Sequence, residues 1–209
     1  MSDKQLELMH RSRQFDGFFK IDKITFRHTL YQGGWTGAIE RELFGRGEAV
    51  VVLLYDSKAE QVVLIEQCRA GALTHAGIGD LTPNERRDGE QAWLIEPVAG
   101  MIDDGESELD ACRREAQEEA GVENAEFEFV CRFYPSPGGS DEVLHLYAAD
   151  IDASVLPEYA GLDHEGEDIR LIRYSYEAAK RKLLAAEFNV ASTIIALQWL
   201  FFQKNARQD

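Results

Sequence analysis

The stretch that decides the fold is GMIDDGESELDACRREAQEEAGV, residues 100–122. Its second part predicts a helix, because Ser107 is a suitable N-cap residue and acidic residues fill the turn that follows. Gly121 then provides a typical C-terminal stop. The sequence therefore predicts a helix that begins after Ser107 and ends before Gly121.

Three glutamates crowd onto one strip of this helix. With about 100° of rotation per residue, Glu118 and Glu119 lie roughly −60° and +40° from Glu115. Like charges at these spacings repel each other by about 0.2–0.5 kcal/mol per pair. The strip borders an apolar stripe that consists of Leu109, Cys112, Ala116 and Ala120.

A solvated surface helix is the simpler interpretation of these glutamates. It does not explain why the densest negative charge borders the apolar seam rather than the opposite face. Clustered carboxylates suit hard divalent cations such as Mg²⁺ or Mn²⁺, which would turn the repulsion into coordination. The pattern therefore favours a metal site at the edge of the buried face of the helix.

The segments around the helix predict a mixed β-sheet. The apolar run over residues 49–56 is typical of a strand buried on both faces. Further strands are expected over residues 62–69, 93–102 (interrupted by Pro97), 125–134, 143–151 and 169–175. Helical material follows from Tyr176, and an amphipathic C-terminal helix begins with Asn189 or Ser192 as its cap. Residues 74–91 are rich in turn formers and predict a long surface loop, so the fold class is α+β.

The N-terminal residues predict a small β unit. Two alternating segments, residues 18–30 and 37–44, flank Gly33 and Gly34, which is the pattern of a hairpin. Residues 1–14 are expected to be a frayed or helical lead-in. We therefore divide the chain into an N-terminal β-hairpin unit, residues 1–46, and a main domain, residues 47–209. A hairpin unit of this size is marginal alone, so it is expected to pack on the main domain or on another subunit.

The composition excludes several classes of partner. The net charge is −16, with 38 acidic against 22 basic residues. Nucleic acids and anionic membranes both bind to positive surfaces, so neither is an expected partner. The three cysteines form no CxxC pair, which argues against a disulfide framework or a zinc site. No apolar run reaches the length of a membrane span, and we expect a soluble, cytoplasmic protein.

The segment resembles the signature of the Nudix hydrolases. The matching positions are Gly100, Glu106, Arg114, Glu115, Ala116, Glu118, Glu119, Gly121 and Val122. The resemblance implies an α/β/α sandwich that hydrolyses a nucleoside diphosphate linked to another moiety. It also implies Mg²⁺ as cofactor, with Mn²⁺ as a substitute and two or three ions per site, and it implies a structural salt bridge for Glu106.

The resemblance also assigns roles within the segment. Glu115 and Glu119 are implied as direct metal ligands, together with the backbone carbonyl of Ala99. Glu118 is implied as a ligand or a water-mediated partner, and as a member of the catalytic group with Arg114. Arg114 is expected to orient the glutamates.

A late acidic loop, residues 157–168, completes the implied site. In the enzymes that this chain resembles, a carboxylate from this loop acts as general base and a neighbouring one joins the metal cluster. We expect Glu165 to be the base and Glu167 to be the ligand, although the reverse assignment stays open. His164 is an alternative base, which we interpret as a surface residue.

The substrate is indicated by residues outside the signature. Pro137, in the setting SPGG, follows Gly121 by sixteen residues and resembles the ADP-ribose pyrophosphatase branch of the family. A plain turn is the alternative interpretation of that segment. By the resemblance, the substrate-binding residues are Phe18, Arg41 and Glu42 at the adenine end, Arg69 at a phosphate, and Met101 and Glu142 at the ribose and diphosphate.

The resemblance implies that ADP-ribose is hydrolysed to AMP and ribose 5-phosphate by a homodimer that shares its N-terminal units. Hydrolysis of another nucleotide sugar, such as ADP-glucose or GDP-mannose, is the first alternative, since the long 74–91 loop could reshape the sugar pocket. A protein that binds ADP-ribose without cleaving it is the second. The intact signature and the absence of a basic C-terminal extension favour the enzyme.

Overall fold

The computed structural model describes residues 4–77, 82, 84–86 and 88–204, with the side chain of Gln203 excepted. The chain divides into two compact units. The first contains residues 1–48 and 134–144, and the second contains residues 49–133 and 145–209. Within the described ranges, no helix is both long enough and apolar enough to cross a bilayer.

The first unit is built on a three-stranded antiparallel sheet in the order β1-β2-β3. Its strands are β1 (Leu6–Asp16), β2 (Lys20–His28) and β3 (Ile39–Gly45).

Strand β1 shows that the expectation of a frayed or helical lead-in over residues 1–14 was wrong. It pairs with β2 from Leu6 to Asp16, and its Arg11 and Arg13 both form ion pairs with the buried carboxylate of Asp22 on β2. These partners lie about ten residues along the chain, so the local sequence does not display them.

The second unit contains the larger sheet, which has eight strands in its described part. The order is β10-β11-β5-β4-β9-β8, with β6 paired to β5 and β7 paired to β4. The strands are β4 (Glu48–Asp56), β5 (Gln61–Cys68), β6 (Trp93–Glu96), β7 (Val98–Met101), β8 (Phe127–Phe133), β9 (Val143–Asp150), β10 (Tyr159–Ala160) and β11 (Ile169–Ser175).

Helices cover this sheet on both faces. They are α1 (Glu108–Ala120), α2 (Tyr176–Leu184) and α3 (Ala191–Gln198), and a π-helical segment, Trp199–Lys204, continues α3. Alternate residues of β4 divide between the faces: Val50 and Val52 share a core cluster with α1, whereas Tyr55 packs edge-on against Trp199. The α+β class, as a helix–sheet–helix sandwich, is therefore confirmed.

The start of α3 differs from the prediction. Its N-cap is Val190, and no side chain caps the helix. Ser192 lies inside the helix and is buried, so neither Asn189 nor Ser192 is the cap. A tertiary hydrogen bond holds this end instead, because the hydroxyl of Thr193 donates to the carbonyl oxygen of Ile95 at 2.9 Å.

The predicted long loop over residues 74–91 is only partly described. Residues 74–77 form turns, and Glu90–Ala92 form a 3₁₀ turn that leads into β6. Residues 78–81, 83 and 87 lie outside the described residues.

Candidate active site

Helix α1 has the caps that the sequence predicts. The hydroxyl oxygen of Ser107 accepts a hydrogen bond from the backbone N–H of Asp110, and Gly121 takes a left-handed φ of 70°. The N–H of Gly121 donates to the carbonyl oxygen of Gln117 at 2.9 Å. These caps determine where α1 begins and ends, and hence which residues lie on its buried face.

The glutamates lie deeper than the sequence indicates. Glu119 is 1% exposed and Glu115 is 8% exposed, so both belong to the middle of the buried face and not to its edge. The buried residues of the helix are Ala111, Cys112, Glu115, Ala116, Glu119 and Ala120. On a wheel they span roughly −40° to +140° from Glu115, with Glu119 near the centre.

Leu109 does not belong to this face. It was expected in the apolar stripe, but it is 39% exposed. It lies in the first turn of α1, whereas the buried residues begin with Ala111. Its exposure therefore follows from its place at the start of the helix, because Ala116 and Ala120, which point in nearly the same direction, are buried. The buried face also extends to the carboxylates, where β7 contacts the helix.

Glu119 is held against the backbone of β7. Its carboxylate accepts a hydrogen bond of 2.9 Å from the N–H of Ala99. Burial raises the pKa of Glu119 to about 8, and the negative charges of Glu115 and Glu167 add to this rise. In the absence of a cation, the carboxylate therefore holds a proton at neutral pH for most of the time.

Glu115 lies directly on Gly100. A β-carbon at Gly100 would come within 1.7 Å of a carboxylate oxygen of Glu115, so only glycine leaves room for this contact. Burial raises the pKa of Glu115, an effect that the hydrogen bond from Arg114 at 2.6 Å opposes. The absence of a side chain at residue 100 thus brings a buried carboxylate onto the strand.

Arg114 holds three carboxylates and one carbonyl group. Its guanidinium donates to both carboxylate oxygens of Glu106, at 3.0 and 2.9 Å, and to Glu118 at 3.3 Å. It also donates to the carbonyl oxygen of Met101 at 2.8 Å. The hydrogen bond from Arg114 lowers the pKa of Glu106, as expected for the structural salt-bridge partner.

We expect Arg114→Lys to lower kcat/KM about 10- to 100-fold, a typical loss when a residue that orients ligands is removed. A lysine has a single ammonium group and cannot reproduce a planar fork that reaches Glu106, Glu115 and Met101 together. Steady-state kinetics measures this effect. Arg113→Lys is the matched control, because Arg113 is exposed and pairs only with Asp110 among the described residues. Equal losses in both variants would contradict the assignment.

The late loop is attached to the same helix. The N–H of Gly161 donates to the carbonyl oxygen of Glu118 at 3.1 Å, and the carboxylate of Glu167 accepts from the N–H of Leu162 at 3.3 Å. Glu167 is among the charges that raise the pKa of both Glu115 and Glu119. The structure thus brings Glu167 to the carboxylate cluster.

Glu165 lies on the exposed side of this loop, in the 3₁₀ turn Asp163–Glu165. Its side chain is 57% exposed, and His164 lies 3.7 Å from it. Both are surface residues, as expected for His164. Glu165 lies two residues before Glu167 in the same loop.

Arg69 follows β5 and faces the same cluster. Its Nε donates to the carboxylate of Glu96 at 2.6 Å, and its positive charge opposes the rise in the pKa of Glu119. The sequence analysis missed Glu96. The signal that could have found it is the pairing of β5 with β6, which places Glu96 opposite Ile65 and on the same face as Arg69.

The remaining candidate residues belong to the first unit. Phe18 is 86% exposed and packs edge-on against Phe19. Arg41 and Glu42 are neighbouring exposed residues of β3, so their side chains leave opposite faces of that strand. Glu142 lies 2.8 Å from Arg46, whose guanidinium lies over the ring of Phe19.

The donor set fits a divalent cation. Glu115, Glu119 and the carbonyl of Ala99 offer oxygen atoms only, and the bare backbone at Gly100 lets the carboxylates approach the strand. Such donors suit Mg²⁺ or Mn²⁺. As the side chains stand, no group of three His, Cys, Asp or Glu within the described residues is arranged to hold a metal ion. Glu115 and Glu119 are instead engaged with Arg114 and with the N–H of Ala99.

Comparisons with known proteins agree with this geometry. Residues 45–194 match the NUDIX domain. The chain is 34% identical over 199 residues to an ADP-ribose pyrophosphatase of Haemophilus influenzae. This alignment covers 95% of this chain and 87% of that protein. It is 38% identical over 195 residues to an ADP-ribose pyrophosphatase of Escherichia coli K12, with coverage of 93% and 87%.

A further relative carries the name of a different activity. The chain is 30% identical over 197 residues to a GDP-mannose pyrophosphatase of Escherichia coli, with coverage of 94% of this chain and 95% of that protein. Since the domain match covers more than half of the chain and all three relatives align over most of their length, the chain belongs to the NUDIX-domain family, as a Nudix hydrolase.

Proposed function

We propose that this protein hydrolyses the diphosphate of ADP-ribose to AMP and ribose 5-phosphate. The observation that carries the proposal is the buried pair of carboxylates on β7, Glu115 against the bare backbone of Gly100 and Glu119 on the N–H of Ala99. The choice of ADP-ribose as the substrate rests on the two relatives named ADP-ribose pyrophosphatase, which are 34% and 38% identical to this chain.

Mg²⁺ is the proposed cofactor, with Mn²⁺ as a substitute and two or three ions per site. Glu115, Glu119, Glu167 and the carbonyl of Ala99 would hold it. When bound, such a cation neutralises diphosphate charge and lowers the pKa of a water molecule. Two of these carboxylates are buried, so water competes weakly for the same position.

Side chains of the protein accept the proton, hold the carboxylates in place and bind the phosphate. Glu165 accepts the proton of the attacking water, a role supported by its exposed carboxylate two residues before Glu167. Glu118 and Arg114 keep the other carboxylates in place through their ion pair. Arg69, anchored at Nε by Glu96, offers its terminal nitrogens to a phosphate.

The other substrate contacts follow from the resemblance. Phe18, Arg41 and Glu42 bind the adenine end, where an exposed aromatic ring suits stacking. Met101 and Glu142 bind the ribose and diphosphate. We also propose a cytoplasmic homodimer in which residues 1–46 are shared between subunits and contribute these contacts, since Leu6, Leu8, Met9, Phe15 and Phe18 leave this unit with exposed apolar side chains.

The test is incubation with Mg²⁺ and ADP-ribose, followed by chromatographic detection of AMP and ribose 5-phosphate. Comparison of kcat/KM for ADP-ribose, ADP-glucose and GDP-mannose then identifies the preferred sugar. A preference for GDP-mannose would favour hydrolysis of that nucleotide sugar instead, which the relative at 30% identity supports. Tight binding of ADP-ribose without AMP formation would instead indicate a sensor.

We expect Mg²⁺ to stabilise the protein more at pH 8 than at pH 6. The pKa of Glu119 is raised to about 8 without a cation, so a proton must leave before this carboxylate binds the metal. Affinity through this group should rise by up to about tenfold per pH unit below 8. Thermal unfolding at fixed Mg²⁺ measures the effect. An equal shift of Tm at both pH values would contradict the role of Glu119, and Glu119→Gln should lose the difference.

A further inference from the structure

Three buried side-chain nitrogens lack a hydrogen-bond acceptor among the described residues: Arg46 Nε, Gln67 Nε2 and Trp199 Nε1. Arg46 faces the carboxylate of Glu142, 2.8 Å away, and Trp199 packs against an aromatic ring. Nε2 of Gln67 belongs to β5, the strand that Arg69 follows. Since a buried donor without an acceptor costs about 1–3 kcal/mol, its presence in β5 calls for a physical reason.

The position of Gln67 on β5 places it beside the candidate site. Side chains two residues apart on a strand leave the same face. Val63 and Ile65 belong to the core cluster that includes Ala116 of α1, so Gln67 faces the same side of the sheet as the carboxylate helix. Its side chain is the next one along this face toward Arg69.

Glu96 and Arg69 are the neighbours of Gln67 on this face of the sheet. Gln67 pairs with Leu94, and Ile65 pairs with Glu96, so Glu96 is a diagonal neighbour about 7–8 Å away between Cα atoms. The backbone of Arg69 remains extended, with φ −110° and ψ 122°. The alternation therefore continues through Arg69, whose side chain follows that of Gln67.

Two donor-bearing side chains thus follow each other on one face of the extended chain at the end of β5. The carboxylate of Glu96 accepts a hydrogen bond from Nε of Arg69, and the side chain of Arg69 is 37% exposed. Nε2 of Gln67 has no hydrogen-bond partner among the described residues. Gln67 is 5% exposed. A half-turn of its amide also exchanges the oxygen and nitrogen positions, so the N–H can be directed toward the site. Adjacent donors of this kind suit an oxyanion that offers several acceptors.

We propose that Gln67 is a phosphate-binding residue whose amide N–H donates to a non-bridging oxygen of the substrate diphosphate beside Arg69. The inference rests on the proposed function and extends it to one more contact. The oxygen carries negative charge in both ground state and transition state, so the contact contributes to binding throughout the reaction. Its loss therefore raises KM and changes kcat little.

The experiment compares wild type with Gln67→Leu in the hydrolysis of ADP-ribose. A hydrogen bond to a charged group is worth a roughly 10- to 100-fold change in affinity, so KM should rise by about that factor. Tm should stay equal or increase, since a buried donor without a partner is removed. Gln67→Met is the second variant in case leucine prevents folding. Gln67→Glu should raise KM by at least the same factor, because its carboxylate repels the phosphate.

Gln61→Leu is the matched control. Gln61 lies on the same face of β5, six residues and about 20 Å from Gln67, and its substitution should leave KM unchanged. An unchanged KM in Gln67→Leu, or a lower Tm with normal kinetics, would overturn the inference, because a purely structural role predicts that outcome.

Binding separates this inference from the proposed function. The probe is the non-hydrolysable α,β-methylene analogue of ADP-ribose, measured by calorimetry in the presence of Mg²⁺. If wild type cleaves no ADP-ribose but binds the analogue, the proposed hydrolysis fails, and at least tenfold weaker binding by Gln67→Leu still supports the contact. Equal binding by both proteins overturns the contact alone. No binding by wild type overturns both.

Discussion

Replacing Glu119 with glutamine is expected to lower kcat for ADP-ribose by about 10³-fold or more. Glutamine keeps the size of the side chain and can still accept the hydrogen bond from Ala99, but it removes the negative charge. A cation held by this carboxylate is worth several kcal/mol to the transition state, and each factor of ten in rate corresponds to about 1.4 kcal/mol. Steady-state kinetics at saturating Mg²⁺ measures the loss.

The same substitution is expected to stabilise the metal-free protein. The folded-state pKa of Glu119 is about 8, above the ordinary value of a glutamate. The stability linked to its proton is therefore fully present at low pH and is lost as pH rises through about 4.5 to 8. At pH 7 that loss is on the order of 3 kcal/mol, and Glu119→Gln avoids it.

Urea unfolding at pH 6, 7 and 8, with chelator present, tests this second effect. Wild type should lose stability across the series, and Glu119→Gln should lose less. Glu123→Gln, which changes an exposed acid beyond the end of α1, is the matched control and should behave like wild type. A Glu119→Gln protein that retains full activity would show that the metal assignment is wrong.

Gly100→Ala is expected to lower kcat/KM by about 10²-fold or more. The added β-carbon would fall 1.7 Å from a carboxylate oxygen of Glu115, so this side chain must leave its position on β7. The φ of Gly100 lies outside the left-handed region, and the backbone itself therefore tolerates alanine. The displaced carboxylate is the reason for the loss, since misplacement of a catalytic group by about 1 Å can cost a comparable factor.

A double-mutant cycle checks that cause. In the Glu115→Ala background the obstructing carboxylate is absent, so adding Gly100→Ala should change the free energy of unfolding little. Gly89→Ala is the control in the wild-type background, because a β-carbon there meets only ordinary contact, 3.5 Å from the ring of Trp93. If Gly100→Ala is fully active, the contact between Gly100 and Glu115 has no role in the reaction.

The parts of the fold that local chemistry determines were predictable. The caps of α1 were found at Ser107 and Gly121 as expected, because each acts through its own side chain or its own φ. The break at Pro97 separates β6 from β7 for a similarly local reason. Apolar runs predicted β4, β5, β8, β9 and β11 within a few residues, whereas β10 lies inside the predicted acidic loop.

The parts that depend on distant partners were not predictable. Strand β1 owes its structure to pairing with β2, and the start of α3 is fixed by a contact of Thr193 with Ile95, almost a hundred residues away. The depth of Glu119 has the same origin. A helical wheel gives directions around α1, but it does not say that β7 lies over the carboxylates. For that reason the wheel put them at the edge of the buried face. It also put Leu109 in the stripe, because a wheel does not show how far along the helix the covered part begins.

The hydrogen bond from Gly161 to the carbonyl oxygen of Glu118 has a consequence for protein engineering. It fastens the segment that carries Glu165 and Glu167 to the last turn of α1, so the two groups of acids form one transplantable module. A designer who grafts only residues 99–121 onto another scaffold would leave behind half of the charge arrangement. Moving residues 161–167 with them, together with their attachment to α1, would preserve the spacing between the two groups.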